Sequence, residues 1–437
     1  MNMNIARLES LFIEMNHIGE SADHGITRLA YSEEHWAANQ YFIRKSRELG
    51  MSVRIDAAGN VIARREGTEI GLSAVACGSH LDTVYEGGPF DGTLGVIAGL
   101  ELVASLNERG IATCRPIEVI SFACEESARF GVSTIGSKAM SGLLDPSMLV
   151  QLEDKEGISF SAALSSVGLE LQRITEARRS RGELAAFFEL HIEQGPVLER
   201  RKLDVGIAVG IAAPFRLELT IQGKASHSGT TPMNMRHDAL IGAAEIILEV
   251  ERAALAEREH GTVATAGVCD VHPGAMNVVP DWVSLKIDVR GTIAESRKTV
   301  VDRINEKIRQ LERTRGLTID TRILSNEEPV LLDERLVRSL SEQCDELGIS
   351  YLTMMSGAGH DAMNMAALCP TGLIFVPSQG GLSHHKDEFS SMDQVAKGAA
   401  LLEQAVLLYA EPVSGTVPGM NMGGGKTHES GQAKDIV

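Results

Sequence analysis

The sequence lacks an excess of basic residues, and this absence argues against some classes of partner. Its 437 residues include 41 Lys plus Arg against 59 Asp plus Glu, which gives a formal net charge of −18. Nucleic acids and anionic membrane surfaces are themselves negative, so neither is expected to be the main target. The balance is compatible with a soluble cytoplasmic enzyme.

Paired cysteines and long apolar runs are also absent. The six cysteines show no CxxC pair and no regular spacing, so neither a zinc ribbon nor a disulfide framework is indicated, and we expect reduced, mostly buried thiols. Residues 1–16 mix Arg7, Glu9 and Glu14 into apolar residues at helical spacing, which fits neither a signal peptide nor a membrane span. Residues 413–437 have almost no apolar periodicity and predict a disordered tail.

Histidines and carboxylates that could bind metal ions are present in short segments rich in glycine or carboxylate. Five of them follow one another in the order His80, Asp91, Glu126, His191 and His384. His80 and Asp91 lie one short loop apart, so that both could bind one ion. Imidazole and carboxylate ligands without a thiolate suit Zn²⁺ and also Mn²⁺, Co²⁺ or Ni²⁺. The pattern predicts a dinuclear metallohydrolase.

Asp91 is the central carboxylate of this set and the natural bridge between two ions. Two ions that share a carboxylate can lower the pKa of a water molecule towards neutrality while they polarise the substrate oxygen. Asp82, two residues after His80, is placed to accept the other ring N–H of that histidine. The adjacent Glu125 and Glu126 point in different directions, so we expect one of them to bind metal and the other to act as a general base.

Apolar runs alternate with helical patterns in the first half of the chain, which indicates an α/β sandwich with a mostly parallel sheet. The predicted elements are strands at 72–77, 117–123 and 185–190, a helix at 95–106, and a later strand at 372–377. Candidate ligands come directly after several of these strands. Sites in such sheets form at the carboxyl ends of the strands.

The pattern changes between residues 211 and 325. There the predicted order is strand, helix, strand, strand, helix, strand, at 216–223, 239–258, 262–271, 282–291, 294–315 and 317–323. This β-α-β-β-α-β order is that of a ferredoxin-like unit. Since the apolar runs resume after it, we predict a discontinuous catalytic domain at 1–210 and 326–412 and an inserted α+β domain at 211–325.

Five motifs occur in order along the chain. They are Gly-Ser-His-Leu-Asp-Thr at 78–83, Glu-Glu-Ser-Ala-Arg-Phe at 125–130, Glu-Leu-His-Ile-Glu-Gln-Gly-Pro at 189–196, Ser-His-Ser-Gly-Thr-Thr-Pro-Met at 226–233 and Ser-Gly-Ala-Gly-His-Asp at 356–361. Together they closely resemble the hydantoinase/carbamoylase family of metal-dependent amidases, over roughly residues 32–408. That family includes N-carbamoyl-L-amino acid hydrolases, β-ureidopropionases and allantoate amidohydrolases. It is related to the metallo-aminoacylases and dinuclear zinc carboxypeptidases.

The resemblance implies how the ligands divide between two ions. The two groups would be His80, Asp91 and His191 for one ion and Asp91, Glu126 and His384 for the other. Glu125 would then be the general base. His384 is preferred to the adjacent His385, because it directly follows Gly-Leu-Ser at 381–383 as the family ligand does.

The resemblance also implies the residues that bind substrate. His227, in the inserted domain, matches a histidine that stabilises the oxyanion as that domain closes and that can act in the active site of a partner subunit. The inserted domain would therefore be a lid and would form a homodimer. The remaining contacts would be Gln194 at the ureido or amide group, Asn277 and Arg290 at the carboxylate, His360 beside it, and Arg216 at a second polar end.

These roles imply hydrolysis of the C–N bond of an N-carbamoyl (ureido) acid, with release of ammonia, carbon dioxide and an amine. An N-carbamoyl-L-amino acid hydrolase is the leading hypothesis. Allantoate amidohydrolase is the alternative, because an arginine at position 216 could bind the extra ureido group of allantoate. An aminoacylase or dipeptidase and a catalytically silent binding protein are further alternatives, and the complete set of ligands with Glu125 argues against the last.

Overall fold

A computed structural model describes residues 3–411, which form two compact units. The first unit contains the residues up to Val209, Leu332–Met354, and the described residues from His360 onward. The second unit contains Gly210–Leu331 and Met355–Gly359. It overlaps the insertion predicted at 211–325, whose functions as a lid and a dimerisation domain stay predictions. The tail predicted at 413–437 lies outside the described residues.

The elements of secondary structure alternate along most of the chain. The α-helices are α1 (Ile5–Asn16), α2 (Glu33–Glu48), α3 (Thr93–Glu108), α4 (Ile135–Ser141), α5 (Phe160–Ser166), α6 (Val197–Arg201), α7 (Ala239–Ala256), α8 (Ala294–Arg315), α9 (Glu334–Leu347), α10 (Asp361–Met365) and α11 (Met392–Ala410). The strands are β1 (Ser52–Ile55), β2 (Val61–Arg65), β3 (Ala74–His80), β4 (Ile117–Phe122), β5 (Leu184–Ile192), β6 (Val205–Ile211), β7 (Ala213–Gln222), β8 (Ser226–His227), β9 (Val263–His272), β10 (Val278–Val279), β11 (Trp282–Gly291), β12 (Thr318–Asn326), β13 (Val330–Leu331), β14 (Tyr351–Ser356) and β15 (Thr371–Val376). Within residues 3–411, each helix is too short or too polar to span a lipid bilayer.

The sheet of the first unit has parallel strands at its centre. Its strands lie in the order β1-β2-β4-β3-β5-β15-β6, with β14 also paired to β6. The pairs β4–β3, β3–β5 and β5–β15 are parallel, whereas β1–β2, β2–β4 and β15–β6 are antiparallel. The four central strands are those that the buried apolar runs predict. The expected α/β architecture is confirmed, with parallel pairing at the centre of the sheet and antiparallel pairing on both sides of it.

Helix α3 lies very close to this sheet because two of its glycines face the strands. A Cβ atom at Gly95 would lie 2.7 Å from the Cβ of Ser79 and 2.8 Å from the carbonyl oxygen of Leu190. One at Gly99 would lie 2.5 Å from Cγ1 of Val119. Any larger side chain would push the helix outward, since packed interiors have no room for such overlap. The segment that precedes α3 is thereby held beside β3 and β5.

The largest apolar core lies between this sheet and five helices. It contains buried side chains of α1, α2, α3, α9 and α11 together with those of β3, β4, β5 and β15. A smaller apolar cluster surrounds α4 and α5, where Tyr31 and Phe130 both make edge contacts with Phe160. Burial of this much apolar surface makes the strand ends a rigid support for polar side chains.

The second unit contains a four-stranded antiparallel sheet with the order β12-β7-β11-β9. Helices α7 and α8 pack on one face of it through a separate apolar core. This is the β-α-β-β-α-β arrangement predicted from the sequence, and the observed bounds of β11 and α8 agree with the predicted ones. The two-residue strands β8 and β10 form a separate antiparallel pair.

Candidate metal centre

The metal ligands predicted in the first unit meet at one edge of its sheet. His80 is the last residue of β3, His191 lies one residue before the end of β5, and His384 follows β15. Glu125 and Glu126 come just after β4, where Cys124 has a left-handed backbone with φ of 54° that turns the chain. Because these four strands are parallel, their carboxyl ends lie at the same edge.

Asp91 lies at the centre of this group, with one carboxylate oxygen facing each set of ligands. Its Oδ1 is 3.1 Å from Nε2 of His191 and 3.6 Å from Nε2 of His80. Its Oδ2 is 3.2 Å from Nε2 of His384, which is also 3.2 Å from Oε1 of Glu126. In each set the potential ligand atoms lie within 4.8 Å of one another. Three imidazole nitrogens and two carboxylates so arranged fit a pair of divalent cations that share Asp91.

The ring nitrogens that face away from the centre are held by backbone groups. Nδ1 of His80 lies 2.9 Å from the carbonyl oxygen of Asp82, and Nδ1 of His191 lies 3.0 Å from that of Ile192. Each ring can therefore donate its Nδ1 proton to a carbonyl, and Nε2 is turned towards Asp91. Such hydrogen bonds fix the orientation of a metal-binding histidine.

The predicted contact of Asp82 with the ring N–H of His80 is present, but the carboxylate does not make it. Its Oδ1 lies 3.9 Å from Nδ1 of His80, and the backbone carbonyl of the same residue takes its place. The carboxylate instead accepts hydrogen bonds from the backbone N–H groups of Glu125, at 3.3 Å, and Glu126, at 2.9 Å. Asp82 thus positions both glutamates, and burial raises its pKa to about 6.

Shared protons hold these ligands together. The hydrogen bonds to Asp91 and Glu126 raise the pKa of His384 to about 11. Burial lowers the pKa of His191, but the hydrogen bond to Asp91 and its charge outweigh burial and raise that pKa to about 9. Burial raises the pKa of Asp91, yet its bonds to both histidines bring it well below the usual range. A metal cation must displace these protons, so its affinity increases with pH.

Glu125 has the properties of a proton carrier. Its Oε2 lies 3.7 Å from Nε2 of His80, and its side chain is 11% exposed. Burial, and then the negative charges of Glu126 and Asp361, raise the pKa of Glu125 well above its usual range. A carboxyl group with a raised pKa can take a proton from water and pass it to a leaving group.

A buried glutamate, Glu388, joins two ligand segments and is not among the residues predicted from the sequence. Oε1 of Glu388 accepts the backbone N–H groups of Phe90 and Asp91, both at 2.9 Å. The hydroxyl of Ser383 lies 3.1 Å from Oε2 of Glu388 and 3.0 Å from Oδ2 of Asp91. Burial and the charge of Asp91 raise the pKa of Glu388 to about 7. In sequence only its closeness to His384 could have indicated this role.

Two more residues predicted to bind substrate lie beside the metal ligands. Nε2 of Gln194 donates to Oδ2 of Asp91 at 2.9 Å. His360 is buried, and its ring centroid lies 4.5 Å from that of His191. Glu189 completes a third possible ligand group with these two histidines. Its oxygens already accept hydrogen bonds from Ser79 and Ala362, so we do not assign an ion there.

The structure distinguishes between the two adjacent histidines near residue 384. Nε2 of His384 faces Asp91 and Glu126, although half of this side chain is exposed. His385 is also half exposed, but its Nδ1 accepts the backbone N–H of Asp387 at 3.2 Å. His384 therefore belongs to the candidate ligand group, whereas Nδ1 of His385 is directed at its own loop.

The other predicted residues lie in the second unit. His227 in β8 is exposed and lies opposite Val278 in β10, and the N–H of Ser228 donates to the carbonyl of Asn277 at 3.0 Å. Nδ1 of His227 accepts the N–H of Gly229 at 3.0 Å. The proton of the neutral ring is therefore on Nε2, which makes that atom a hydrogen-bond donor.

Two of the predicted arginines share one carboxylate. Arg216 and Arg290 both donate to Oδ2 of Asp288, at 3.4 Å and at 3.1–3.2 Å, respectively. Arg290 also donates to the carbonyl of Gly357 at 3.1 Å. Arg216, Asp288 and Arg290 line a cavity of about 490 Å³, to which Lys286 adds a third positive charge against the one carboxylate of Asp288. The cavity suits an anionic ligand with an apolar part.

Gly92 offers a test of the metal centre, because it lies against His80. It precedes α3 with φ of 63°, and an added Cβ would lie 2.3–2.4 Å from three atoms of the His80 ring. We predict that Gly92→Ala displaces this ring and weakens binding of Mn²⁺ or Zn²⁺ at least tenfold, a penalty of about 1.4 kcal/mol. Titration of metal-stripped protein would measure it.

The matched control is Gly110→Ala. Gly110 has φ of 65° and open space where a Cβ would lie. Both glycines have a positive φ, so alanine at either position strains the backbone, by about 1 kcal/mol or more in the free energy of unfolding. Only Gly92→Ala should weaken the binding of metal. Equal affinities in the two variants would show that His80 is not a ligand.

Comparison with known proteins places this centre in a family. Residues 76–408 match peptidase family M20/M25/M40. An uncharacterized hydrolase from Haemophilus influenzae is 44% identical over 94% of this chain and 100% of its own. An N-carbamoyl-L-amino acid amidohydrolase from Geobacillus stearothermophilus is 42% identical over 93% of this chain and 98% of its own. An allantoate amidohydrolase from Escherichia coli is 34% identical over 90% and 95%, and a ureidoglycolate hydrolase from Arabidopsis thaliana is 33% identical over 92% and 86%.

Solved structures agree with the sequence comparison. The crystal structure of a hydantoinase/carbamoylase family amidase from Burkholderia multivorans has a TM-score of 0.86 and 32% identity, and the match covers 94% of this chain and 99% of that one. The chain therefore belongs to peptidase family M20/M25/M40 and, within it, to the hydantoinase/carbamoylase amidases, which makes it a hydrolase of carbon–nitrogen bonds other than peptide bonds.

Proposed function

We propose that this enzyme hydrolyses N-carbamoyl-L-amino acids with two divalent metal ions, releasing ammonia, carbon dioxide and an amino acid. The observation that carries the proposal is the position of Asp91, whose two oxygens face two separate ligand groups. The name of the Geobacillus stearothermophilus relative supports the carbamoyl substrate. Because all six cysteines are unpaired, we also propose a cytoplasmic location, where thiols stay reduced.

The ligands suit Zn²⁺ or Mn²⁺ and would also bind Co²⁺ or Ni²⁺. When bound, two such ions would lower the pKa of a water molecule and polarise the carbonyl of the substrate. Glu125 would take a proton from that water as it attacks the carbamoyl carbon, and would pass the proton to the leaving nitrogen. Gln194 would bind the ureido group from its place beside Asp91. His227 would donate its Nε2 proton to the oxyanion.

The carboxylate of the substrate would be bound in the second unit. Arg290 is held by Asp288 and Gly357, which leaves its guanidinium fixed in direction. A planar guanidinium binds a carboxylate with two parallel hydrogen bonds. Asn277 would add an amide donor to the same carboxylate.

A second candidate is allantoate or a related acid with an additional polar end. Arg216 is half exposed and shares Asp288 with Arg290, so a second guanidinium is available in the same cavity. The names of the Escherichia coli and Arabidopsis thaliana relatives favour this class of substrate. Carbamoyl derivatives of apolar amino acids would leave Arg216 without a substrate partner.

We further propose a homodimer formed through the second unit. Helix α7 exposes Ile241, Leu248 and Leu255, each seven residues after the previous one, which places them along one stripe of the helix. Strand β9 pairs only with β11 among the described residues, so its other edge can accept a further strand. An apolar helix stripe and an open edge strand are features of surfaces that associate.

The substrate proposal is tested by ammonia release. Metal-stripped protein reconstituted with Mn²⁺, Zn²⁺ or Co²⁺ would be assayed with N-carbamoyl-L-amino acids, N-carbamoyl-β-alanine, allantoate and ureidoglycolate. We predict metal-dependent ammonia release, fastest with an N-carbamoyl-L-amino acid. Glu125→Gln should lower kcat by about 10²–10⁴-fold, because it removes the proton carrier while its amide keeps the same shape.

Metal content of the Glu125→Gln protein is the control and should match that of the unchanged enzyme. Faster turnover of allantoate would favour the second candidate. Release of a carboxylic acid from N-acyl amino acids or dipeptides, without ammonia from any ureido acid, would contradict the carbamoyl proposal.

The dimer is tested by light scattering coupled to gel filtration. We predict twice the chain mass of 47.0 kDa for the full-length protein and the monomer mass for Leu248→Glu, which places a charge in the apolar stripe. Ile70→Glu is the control, because Ile70 is fully exposed in the first unit. A monomer for the unchanged protein would rule the dimer out.

A further inference from the structure

Arg28 is a fully buried arginine outside the known motifs of the site. Its Nε donates to the carbonyl of Leu81 at 2.7 Å, one terminal nitrogen donates to the hydroxyl of Thr93 at 2.7 Å, and the other donates to the carbonyl of Ile18 at 3.2 Å. Two backbone carbonyls and one hydroxyl accept these three hydrogen bonds, so each of the three acceptors is uncharged. The backbone N–H of Arg28 donates to the hydroxyl of Thr83 at 2.8 Å, and the carbonyl of Arg28 accepts the N–H of Thr83 at 2.9 Å.

Burial of this side chain is unfavourable in free energy, because a buried guanidinium loses its hydration and must replace it with hydrogen bonds to fixed partners. Burial lowers the pKa of Arg28 to about 10, against the effect of the Asp82 charge, so the group is still positive at neutral pH. The buried Arg179 differs, because it pairs directly with the carboxylates of Glu118 and Glu183. Direct pairing with carboxylates therefore explains Arg179. Arg28 feels the charge of Asp82, but the hydrogen bonds of its side chain go to uncharged groups of other segments and need a different explanation.

The partners of Arg28 lie next to two metal ligands. Leu81 directly follows His80, and Thr93 comes two residues after Asp91 as the first residue of α3. One rigid guanidinium thus joins the turn that follows β3 to the start of α3. The separation of these two segments determines the separation of His80 and Asp91, which face each other at 3.6 Å.

We propose that Arg28 is a positioning residue of the metal centre, which holds the His80 turn and the Asp91 segment at the spacing that a metal ion requires. The proposal rests on the proposed function, since it assumes that His80 and Asp91 bind metal. The planar fork of arginine reaches both segments at once, whereas a lysine ammonium is a single point donor. Ligand geometry therefore depends on the shape of this side chain and not only on its charge.

Variants that keep the positive charge provide the sharpest test. Removing the charge would also remove its repulsion of a metal cation, which would obscure any loss of positioning. Arg28→Lys keeps the charge and loses the fork, and Thr93→Val keeps Arg28 and removes one acceptor. Thr93→Ser retains the hydroxyl and is the matched control for Thr93→Val. Arg179→Lys is the control for a substitution at another buried arginine.

Affinity for Mn²⁺ and Zn²⁺ would be measured by titration of the metal-stripped full-length proteins, together with the visible absorption spectrum of the Co²⁺ forms. We expect Arg28→Lys and Thr93→Val to bind metal at least about tenfold more weakly and to show altered Co²⁺ bands. Thr93→Ser and Arg179→Lys should stay within about twofold of the unchanged protein. A merely structural role would lower thermal stability without changing the Co²⁺ spectrum.

The outcomes separate this inference from the function on which it rests. If the unchanged protein binds two ions while Arg28→Lys and Thr93→Val bind them equally well, the positioning role is refuted and the proposed metal centre stands. If Arg28→Lys does not fold, the comparison of Thr93→Val with Thr93→Ser decides the same question. If the unchanged protein binds no metal, both the metal centre and the role of Arg28 are refuted.

Discussion

The structure of the first unit depends on how several carboxylates are held close together and away from water. Asp82, Asp91, Glu125 and Glu126 are all buried at one edge of the sheet. Like charges at such spacing repel strongly, and burial disfavours each of them further. Stability therefore requires protons, cations or directed N–H groups beside these carboxylates. Backbone N–H groups supply them to Asp82, and the histidines supply them to Asp91 and Glu126.

The same constraint explains why backbone groups contribute so much to this site. Asp82 accepts two backbone N–H groups and Glu388 accepts another two, so each carboxylate is fixed by a segment that carries ligands. Hydrogen bonds from backbone N–H groups do not change their protonation with pH, unlike those from histidine. Cations can then replace protons at the histidines without loss of the arrangement around them.

Much of the fold could be predicted because the central strands are buried on both faces. Strands β3, β4 and β15 consist entirely of buried residues and therefore form recognisable apolar runs. Strand β1 was not predicted, because Ser52–Ile55 is short and mostly exposed and has no such pattern. The ferredoxin-like unit was predictable for a different reason. Its long helices and its strands differ clearly in the spacing of their apolar residues.

Of the candidate site, only the residues that stand in motifs or in the ligand pattern could be predicted from the sequence. His80, Glu126 and His191 stand in motifs, but a sequence does not distinguish the backbone carbonyl of Asp82 from its side chain. Glu388 follows Lys386 and Asp387, so its segment has the composition of a solvated turn. Arg28 stands in no motif that indicates burial. In each case long-range packing decides the role, and local sequence carries no signal of it.

The central claim is that two metal ions share Asp91. Anomalous diffraction from crystals of the enzyme soaked in Mn²⁺ or Zn²⁺ tests this claim most directly. We expect two anomalous peaks, one near His80 and His191 and the other near Glu126 and His384, with Asp91 between them. A single peak, or two peaks of which neither lies beside Asp91, would contradict the dinuclear centre.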